Sequence, residues 1–435
     1  MKITFIGAGS VNFTTALVHD VTTYPALDEA EICLMDIDAY RLKKITECVE
    51  RIKTEMGSKI SITSTTNREE ALDRAKVVVC TVFNGDVDIW QHDILIPKKY
   101  GVDINVGDTR SVSGIFRALR NIPLLIDICR DIERICPNAI MLNYTNPMSM
   151  LCKAMQTYTK VDVTGLCHSV QGTSRMLAEW VGVPVIEVKY TCVGINHMAF
   201  FIEFERNGND LYPLLRQKID DPVYYNKEKV RNEIFKTFGY YVTESSGHNS
   251  EYTAWFRKRP DLILKYCNDK GANWNPGEYA FSLNLRRDPD RFDKLVDEFM
   301  RKELSKERGC EYAANIINAR LGDHTPFKFN ANILNDGSVE NLPSDACVEI
   351  PVIADENGYT RVYRGKLPTA VATLVSYTSS IENLVVEAWE NKSKQMVYQA
   401  VSLDPLCSAV LSLEEIKSMC DELFEVNREF LGDYR

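Results

Sequence analysis

No two cysteines in the chain stand as C-x-x-C, although thirteen cysteines are present. That absence argues against a zinc ribbon or a dithiol redox motif. Odd in number and scattered through apparent strands and helices, the thiols fit a reducing cytoplasm, most of them as small buried hydrophobes. No run approaches the ~20 unbroken apolar residues that span a bilayer, so no membrane helix is expected. The opening MKITFIGAG lacks the basic start, long apolar stretch and small-residue cleavage site of a secretory signal, so a cytoplasmic protein is expected. Positive charge is also in deficit. With 51 Lys and Arg against 61 Asp and Glu, the net charge is −10 and the isoelectric point about 5.3. Nucleic acid and anionic membranes are thereby disfavoured as partners. Internal repeats and low-complexity linkers are missing too, which suits two intimately joined domains in a chain of 435 residues.

What is present reads first as fold. Early in the chain, short apolar runs alternate with amphipathic stretches, the pattern of a parallel sheet wound with helices. Lys2–Ile6, Glu31–Asp36, Lys76–Val82, Ala139–Asn143 and Val163–Leu166 predict strands, several apolar throughout as when helices cover both faces. Phe13–Val21, Ala39–Glu55, Ile115–Ile135 and Pro147–Thr157 predict the intervening helices. The pattern changes after Val183, so domains 1–183 and 184–435 are expected. In the second, Glu187–Phe204 is rich in β-formers, Asp221–Phe238 reads as charged helix, and Thr243–Phe256 as a polar, aromatic loop. Cys347–Ala354 and Thr360–Arg364 flank the hairpin turn Asp355-Glu356-Asn357-Gly358, and Thr373–Phe430 is mostly helical. The fold class expected is α/β: a Rossmann-type doubly wound sheet followed by an α+β domain, as in lactate and malate dehydrogenases.

Several short motifs carry chemistry. Gly7-Ala8-Gly9-Ser10 follows the first strand and opens a helix, a turn that lets backbone N–H groups approach a pyrophosphate. The third glycine of G-x-G-x-x-G is replaced by Asn12. Asp36 ends the second strand, where a carboxylate accepts hydrogen bonds from an adenosine ribose, with Asp38 the weaker choice. Together these point to NAD. Cys167 and His168 sit just past a strand, and His197 follows thirty residues after Cys167. Thiolate and imidazole can share a divalent ion, or be an inert cysteine and a satisfied core histidine. Asn146 lies in Asn143-Tyr144-Thr145-Asn146-Pro147 at another strand end, placed to bind hydroxyls or to start a helix as an ordinary Asn-Pro turn. Asp108 either relays a proton or caps the next helix. Glu244, His248, Glu251 and Tyr252 crowd Thr243–Phe256, either as a cleft lid supplying a base or as a solvated loop.

Taken in order, ITFIGAGS, LMDID, MLNYTNPM, GLCHSVQGT, GINHMAFF, VTESS, EYTAWF and NLPSDACVEI run nearly end to end. They resemble glycoside hydrolase family four, and within it the α-galactosidase branch. The resemblance implies NAD at Gly7, Gly9, Ser10 and Asp36. It implies Mn²⁺ or another divalent cation on Cys167 and His197, a substrate contact at Asn146, and assistance to the base by Asp108. His168 occupies the position where other branches carry the general acid. The base itself stays open among Tyr252, Glu244 and His248. C-H-S-V in place of C-D-M-P or C-N-V-P argues against a 6-phosphosugar. Members often carry Asp-Thr-x-Gly-Pro-Gly-Gly where this chain reads Asp108-Thr109-Arg110-Ser111-Val112-Ser113-Gly114, which leaves substrate detail and oligomer contacts open.

The activity implied is hydrolysis of terminal, melibiose-like α-galactosides. Oxidation at C3 acidifies the C2 proton, elimination breaks the C1–oxygen bond, water adds, and re-reduction restores the sugar. This family stands outside two-carboxylate hydrolysis, as the worked exception in general accounts of glycosidases. A homo-oligomer, dimer or tetramer, is expected, with neither nucleic acid nor membrane as partner. The alternatives are α-glucosidase, α-galacturonidase or α-glucuronidase activity, net NAD-dependent dehydrogenation, and a non-catalytic NAD sensor.

Overall fold

The structure, a computed structural model, describes residues 1–267 and 288–435. Its strands are β1 (Lys2–Ile6), β2 (Glu31–Met35), β3 (Ser61–Thr65), β4 (Ala75–Cys80), β5 (Ile140–Asn143), β6 (Asp162–Gly165), β7 (Lys189–Ile195), β8 (Met198–Arg206), β9 (Asn209–Asp210), β10 (Tyr241–Val242), β11 (Phe327–Leu334), β12 (Cys347–Asp355) and β13 (Gly358–Arg361). Among the described residues they form one sheet, ordered β10-β8-β7-β12-β11-β6-β5-β4-β1-β2-β3, with β9 on β8 and β13 on β12. The run β3-β2-β1-β4-β5-β6 is parallel throughout. This is the doubly wound order expected from the alternating apolar runs.

Period-two alternation explains the layering. Ile32, Leu34, Val77 and Val79 face one buried cluster with Leu17, Val18, Ile45 and Val49 of helices Val11–Thr22 and Ala39–Met56. Cys33, Met35, Val78 and Cys80 face the other, with Ile115, Phe116, Leu119 and Leu151 of helices Ser111–Ile135 and Met148–Tyr158. Val77, Val78 and Val79 are fully buried. Each contributes about 1.5–3 kcal/mol by leaving water.

Beyond β6 the sheet turns antiparallel. β11 joins β6 through one pair, Asn332 opposite Gly165, and runs against β12 from Phe327 opposite Ala354 to Leu334 opposite Cys347. The hairpin lies where expected, with Asp355 opposite Gly358. β7 and β8 form the β-rich segment after Val183. The Asp221–Phe238 stretch resolves into Pro222–Tyr225 and Lys229–Phe238. The C-terminal helices, from Thr369–Glu390 to Arg428–Leu431, include members that pack into the same cluster as Ser111–Ile135. Arg120 and Asp93, both fully buried, are bonded Nη1 to Oδ1 at 2.9 Å, and Arg120 also reaches Asn427 Oδ1 at 2.8 Å. The Arg120–Asn427 bond ties the C-terminal helices to the sheet's helical layer, and Asp93 holds Arg120 in place for it.

Among the described residues no helix is long and apolar enough to cross a membrane. All thirteen cysteines are free, and only Cys310 is exposed.

Candidate active site

The C-terminal ends of β1, β2, β5 and β6 point to one edge, where the turn between β7 and β8 and the segment after β10 also arrive. Gly7 lies at φ +83°, and a Cβ there would meet the Thr81 carbonyl oxygen at 2.7 Å. A Cβ on Gly9 would meet Asp36 Oδ2 at 2.7 Å. The Gly9 N–H donates to that same oxygen at 2.7 Å. Only glycine fits at Gly7, where backbone blocks a side chain, whereas a Cβ at Gly9 would displace the Asp36 carboxylate. Ser10 caps helix Val11–Thr22, its side chain accepting from the Phe13 N–H. Asn12 is exposed at the helix start, so the missing third glycine disturbs no packing. Asp38 is spent as the cap of Ala39–Met56, accepting from the Tyr40 and Arg41 N–H groups at 3.0 Å. Asp36 is therefore the carboxylate that faces the turn. A tight glycine cradle, a helix N-terminus and an acidic strand end fit a dinucleotide.

Cys167 and His197, thirty residues apart, meet: Sγ lies 3.3 Å from Nε2. Both are buried. The Ser169 N–H donates to the sulfur at 3.4 Å, and the thiol donates to the Ser169 hydroxyl oxygen at 3.3 Å. The other ring nitrogen, Nδ1, faces Thr109 Oγ1 at 3.1 Å and the Tyr252 hydroxyl at 3.2 Å. Burial, opposed by Glu244, holds His197 down to about 4. The ring is neutral at pH 7, as a metal ligand must be. Burial pushes the Cys167 thiol well up, with Glu349 and Glu244 adding to it. Sulfur and imidazole nitrogen converging in a buried pocket fit a divalent cation.

Thr243–Phe256 is neither a solvated loop nor an open lid. It contains helix Ser246–Glu251, capped by Ser245, and most of its residues are buried. Glu244 Oε2 lies 3.6 Å from His197 Nε2, and Glu244 Oε1 lies 3.1 Å from His248 Nδ1. His248 Nε2 reaches Asp108 Oδ1 at 3.5 Å. Burial works against a charged His248, but Glu244 and Asp108 overcome it and hold the ring up to about 9. Burial likewise opposes the Asp108 charge, and His248 holds that carboxyl well below the usual range. Asp108 does not cap a helix, because Ser111–Ile135 starts after Arg110 with no side-chain cap. Glu251 is structural: its carboxylate accepts from the Asn105, Val106 and Gly107 N–H groups at 2.7, 2.9 and 3.0 Å, shaping the turn before Asp108.

His168 stands apart from this buried group. Its side chain is 57% exposed, with Nδ1 3.7 Å from Glu311 Oε1. Asn146 is half-buried, its Oδ1 without a hydrogen-bond partner among the described residues. The sequence reading passed over Arg117. Its guanidinium stacks on Phe83 and Trp90 at 4.5 and 4.9 Å, its Nε donates to the Asn146 carbonyl at 3.3 Å, and its Nη1 has no partner among the described residues. Arg110, in the stretch that departs from the family pattern, donates to the Asn196 carbonyl, pairs with Glu382 at 3.0 Å and covers the Tyr252 ring at 4.9 Å. Next to it Ser111 donates to Asp404 Oδ2 at 2.9 Å. The altered loop thus ties the histidine turn to the C-terminal helices. Glu349, fully buried in β12, was missed as well. A lone acid in the apolar run CVEIPVI was its only signal.

The model of the family 4 glycosyl hydrolases matches residues 2–183, and that of the family 4 glycosyl hydrolase C-terminal domain matches 192–407. An alpha-galactosidase of Bacillus subtilis is 38% identical over 441 residues, covering all of both chains. An alpha-galactosidase of Rhizobium meliloti is 35% identical over all of this chain and 89% of its own. The crystal structure of a 6-phospho-alpha-glucosidase from gut microorganisms, in complex with NAD and Mn²⁺, superposes with a TM-score of 0.79 at 20% identity. It covers 99% of this chain and 98% of that one. With both halves matched by dedicated models and two full-length relatives above a third identical, this chain belongs to family 4 of the glycosyl hydrolases.

Proposed function

We propose that the protein is an α-galactosidase that hydrolyses terminal α-galactosides through transient oxidation of the sugar. The observation that carries the reading is the 3.3 Å approach of Cys167 Sγ to His197 Nε2 beside a glycine turn fit for a dinucleotide. When bound, NAD supplies a hydride acceptor for sugar C3, and Mn²⁺ or another divalent cation supplies Lewis-acid polarisation of the neighbouring oxygens.

The chain's own residues do the rest. Gly7, Gly9 and Ser10 cradle the pyrophosphate, and Asp36 serves the ribose. Cys167 and His197 hold the cation, and Asn146 binds a sugar hydroxyl through its unpartnered side-chain oxygen. His197 turns Nε2 toward Cys167, so its proton stands on Nδ1 and is donated to Thr109 or Tyr252. Burial, reinforced by Asp108, holds the Tyr252 hydroxyl well above its usual range, and Arg110 over the ring opposes that shift. Tyr252, its hydroxyl 3.2 Å from His197 Nδ1, is the base proposed to take the C2 proton. His248, held protonated between Glu244 and Asp108, is a poor base and a good electrostatic anchor. His168 protonates the departing glycosidic oxygen. Residues 1–183 form the NAD-binding domain and 184–435 the substrate, metal and oligomer domain of a cytoplasmic homo-oligomer. The free cysteines and acidic surface support that setting.

Assay of p-nitrophenyl glycosides with NAD⁺, Mn²⁺ and a thiol tests the reading. Turnover of the α-galactoside, lost when either cofactor is withheld, is expected. One NADH accumulating per turnover would instead make the protein a dehydrogenase. A second reading, uronide hydrolysis, is favoured by the free Nη1 of Arg117 near Asn146, which suits a C6 carboxylate. Activity confined to a uronide would establish it in place of the first.

A further inference from the structure

We infer that Glu244 is a third protein ligand of the cation, so that the ion is held on a sulfur–nitrogen–oxygen face made by Cys167, His197 and Glu244. The inference rests on the reading above, which puts a cation between Cys167 and His197. Ligand atoms that share an ion through bonds of about 2.0–2.3 Å stand roughly 3–4 Å apart. His197 Nε2 is 3.3 Å from Cys167 Sγ and 3.6 Å from Glu244 Oε2, and the three donor atoms lie within 4.8 Å of one another.

The backbone supports the same placement. His197 and Glu244 both lie in the left-handed region, at φ 60° and 69°. Neither is glycine or asparagine, and such a conformation costs an L-residue about 1–2 kcal/mol. Strain of this kind persists where the surrounding structure holds a side chain for a purpose. Here it brings the two side chains together, one from the β7–β8 turn and one from the segment after β10.

Each donor is also oriented from behind, as ligands are. Ser169 holds the sulfur, Thr109 and Tyr252 meet Nδ1 of His197, and His248 meets Glu244 Oε1 at 3.1 Å. Glu244 thus uses one oxygen for the pocket and the other for its support. Thiolate and carboxylate together neutralise a doubly charged ion. A second trio, Asp108, His197 and His248, also gathers. Its members are committed elsewhere: His248 to Ser245 at 2.9 Å and to Glu244, Asp108 to Thr109 at 2.7 Å. It serves as the outer support of the first.

Mn²⁺ titration of the chelator-stripped full-length enzyme, followed by the electron paramagnetic resonance of free Mn²⁺, tests the assignment. Glu244→Gln is expected to raise the Mn²⁺ Kd at least roughly tenfold while NAD⁺ affinity stays unchanged. Glu244→Asp, which keeps the charge but withdraws the oxygen by one methylene, is expected to fall between. Binding by both variants within about twofold of the unaltered enzyme, with Cys167→Ala losing the ion, would overturn Glu244 as a ligand and leave the two-ligand reading standing. Failure of the unaltered enzyme to take up Mn²⁺ would overturn both. Should the glutamine variant not fold, as judged by lost NAD⁺ binding, the aspartate variant decides by the same comparison.

Discussion

Replacing Glu349 by glutamine should make the protein more stable in alkali and leave it little changed in acid. Glu349 sits fully buried in β12, with the Asn196 side chain as a polar neighbour that partly opposes its shift. The nearby guanidinium of Arg110 is already paired with Glu382. Burial, reinforced by the negative charge of Glu244, raises Glu349 from 4.5 to about 8. The folded protein thus prefers the protonated acid. Its favourable contribution is full below pH 4.5 and is lost as pH rises through about 8. At about 1.4 kcal/mol per pH unit, that interval sets an upper bound of about 5 kcal/mol. Effective interior dielectrics are higher than a dry medium's, so about 2–4 kcal/mol is the working expectation. The assay is urea denaturation of the metal-free enzyme near pH 5 and near pH 8, for parent and Glu349→Gln in parallel. Subtracting the parent isolates this one group from the other titrations. The variant should gain on the parent by about 2 kcal/mol or more between the two conditions. Equal pH dependence in the two proteins would refute the reasoning, because it would mean that Glu349 ionises freely.

Gly9→Ala should push the Asp36 carboxylate off the glycine turn, since the new Cβ would stand 2.7 Å from Oδ2; NAD⁺ titration by fluorescence should show affinity reduced by about tenfold or more, and unchanged affinity would disprove the cradle. His168→Asn should cost about a hundredfold in kcat/KM on an α-galactosyl disaccharide but far less on the p-nitrophenyl galactoside, whose leaving group needs no proton. Equal losses on both would remove His168 from that role. Asp93→Asn leaves Arg120 charged, fully buried and without its anion, so it should lower stability by about 3–5 kcal/mol in urea denaturation; a loss below about 1 kcal/mol would count against Asp93 as the group that holds Arg120 in place.

Five strands of the parallel half, β1, β2, β4, β5 and β6, were legible because they obey one local rule, whereas the polar edge strand β3 does not and was missed. Val77, Val78 and Val79 alternate between two buried helical layers, and apolar runs of that kind read as covered strands before any coordinates exist. Helix Ala39–Met56 appeared within one residue of its expected end, bounded by Asp38 and Gly57. The glycine turn was legible for a similar reason, since close backbone approach admits no side chain. The antiparallel half was less so. β11 meets β6 through Asn332 and Gly165 alone, a pairing set by distant chain segments rather than by local pattern.

At the site, residue type pointed to Cys167, His197 and Asp108, but not to their arrangement. Thr243–Phe256, rich in Glu, His and Ser, left a solvated loop and a cleft lid both open in sequence. It is buried because those groups satisfy one another: Glu251 takes three backbone N–H groups, and His248 lies between two carboxylates. Mutual satisfaction across sequence separations of 144 to 146 residues leaves no local trace. Glu349 was missed for the complementary reason, as a single charge inside an otherwise apolar stretch of strand, and Arg117 as one of several charges along Ser111–Ile135.

The most direct test of hydrolysis by way of an oxidised sugar is the hydrogen at C2 of the product. Turnover of an α-galactoside in deuterium oxide, with NAD⁺ and Mn²⁺ present, should yield galactose carrying solvent deuterium at C2, read by proton NMR as loss of that resonance. Galactose released at full rate with its original C2 hydrogen would contradict the account, because the C1–oxygen bond would then have broken without the proton ever leaving C2.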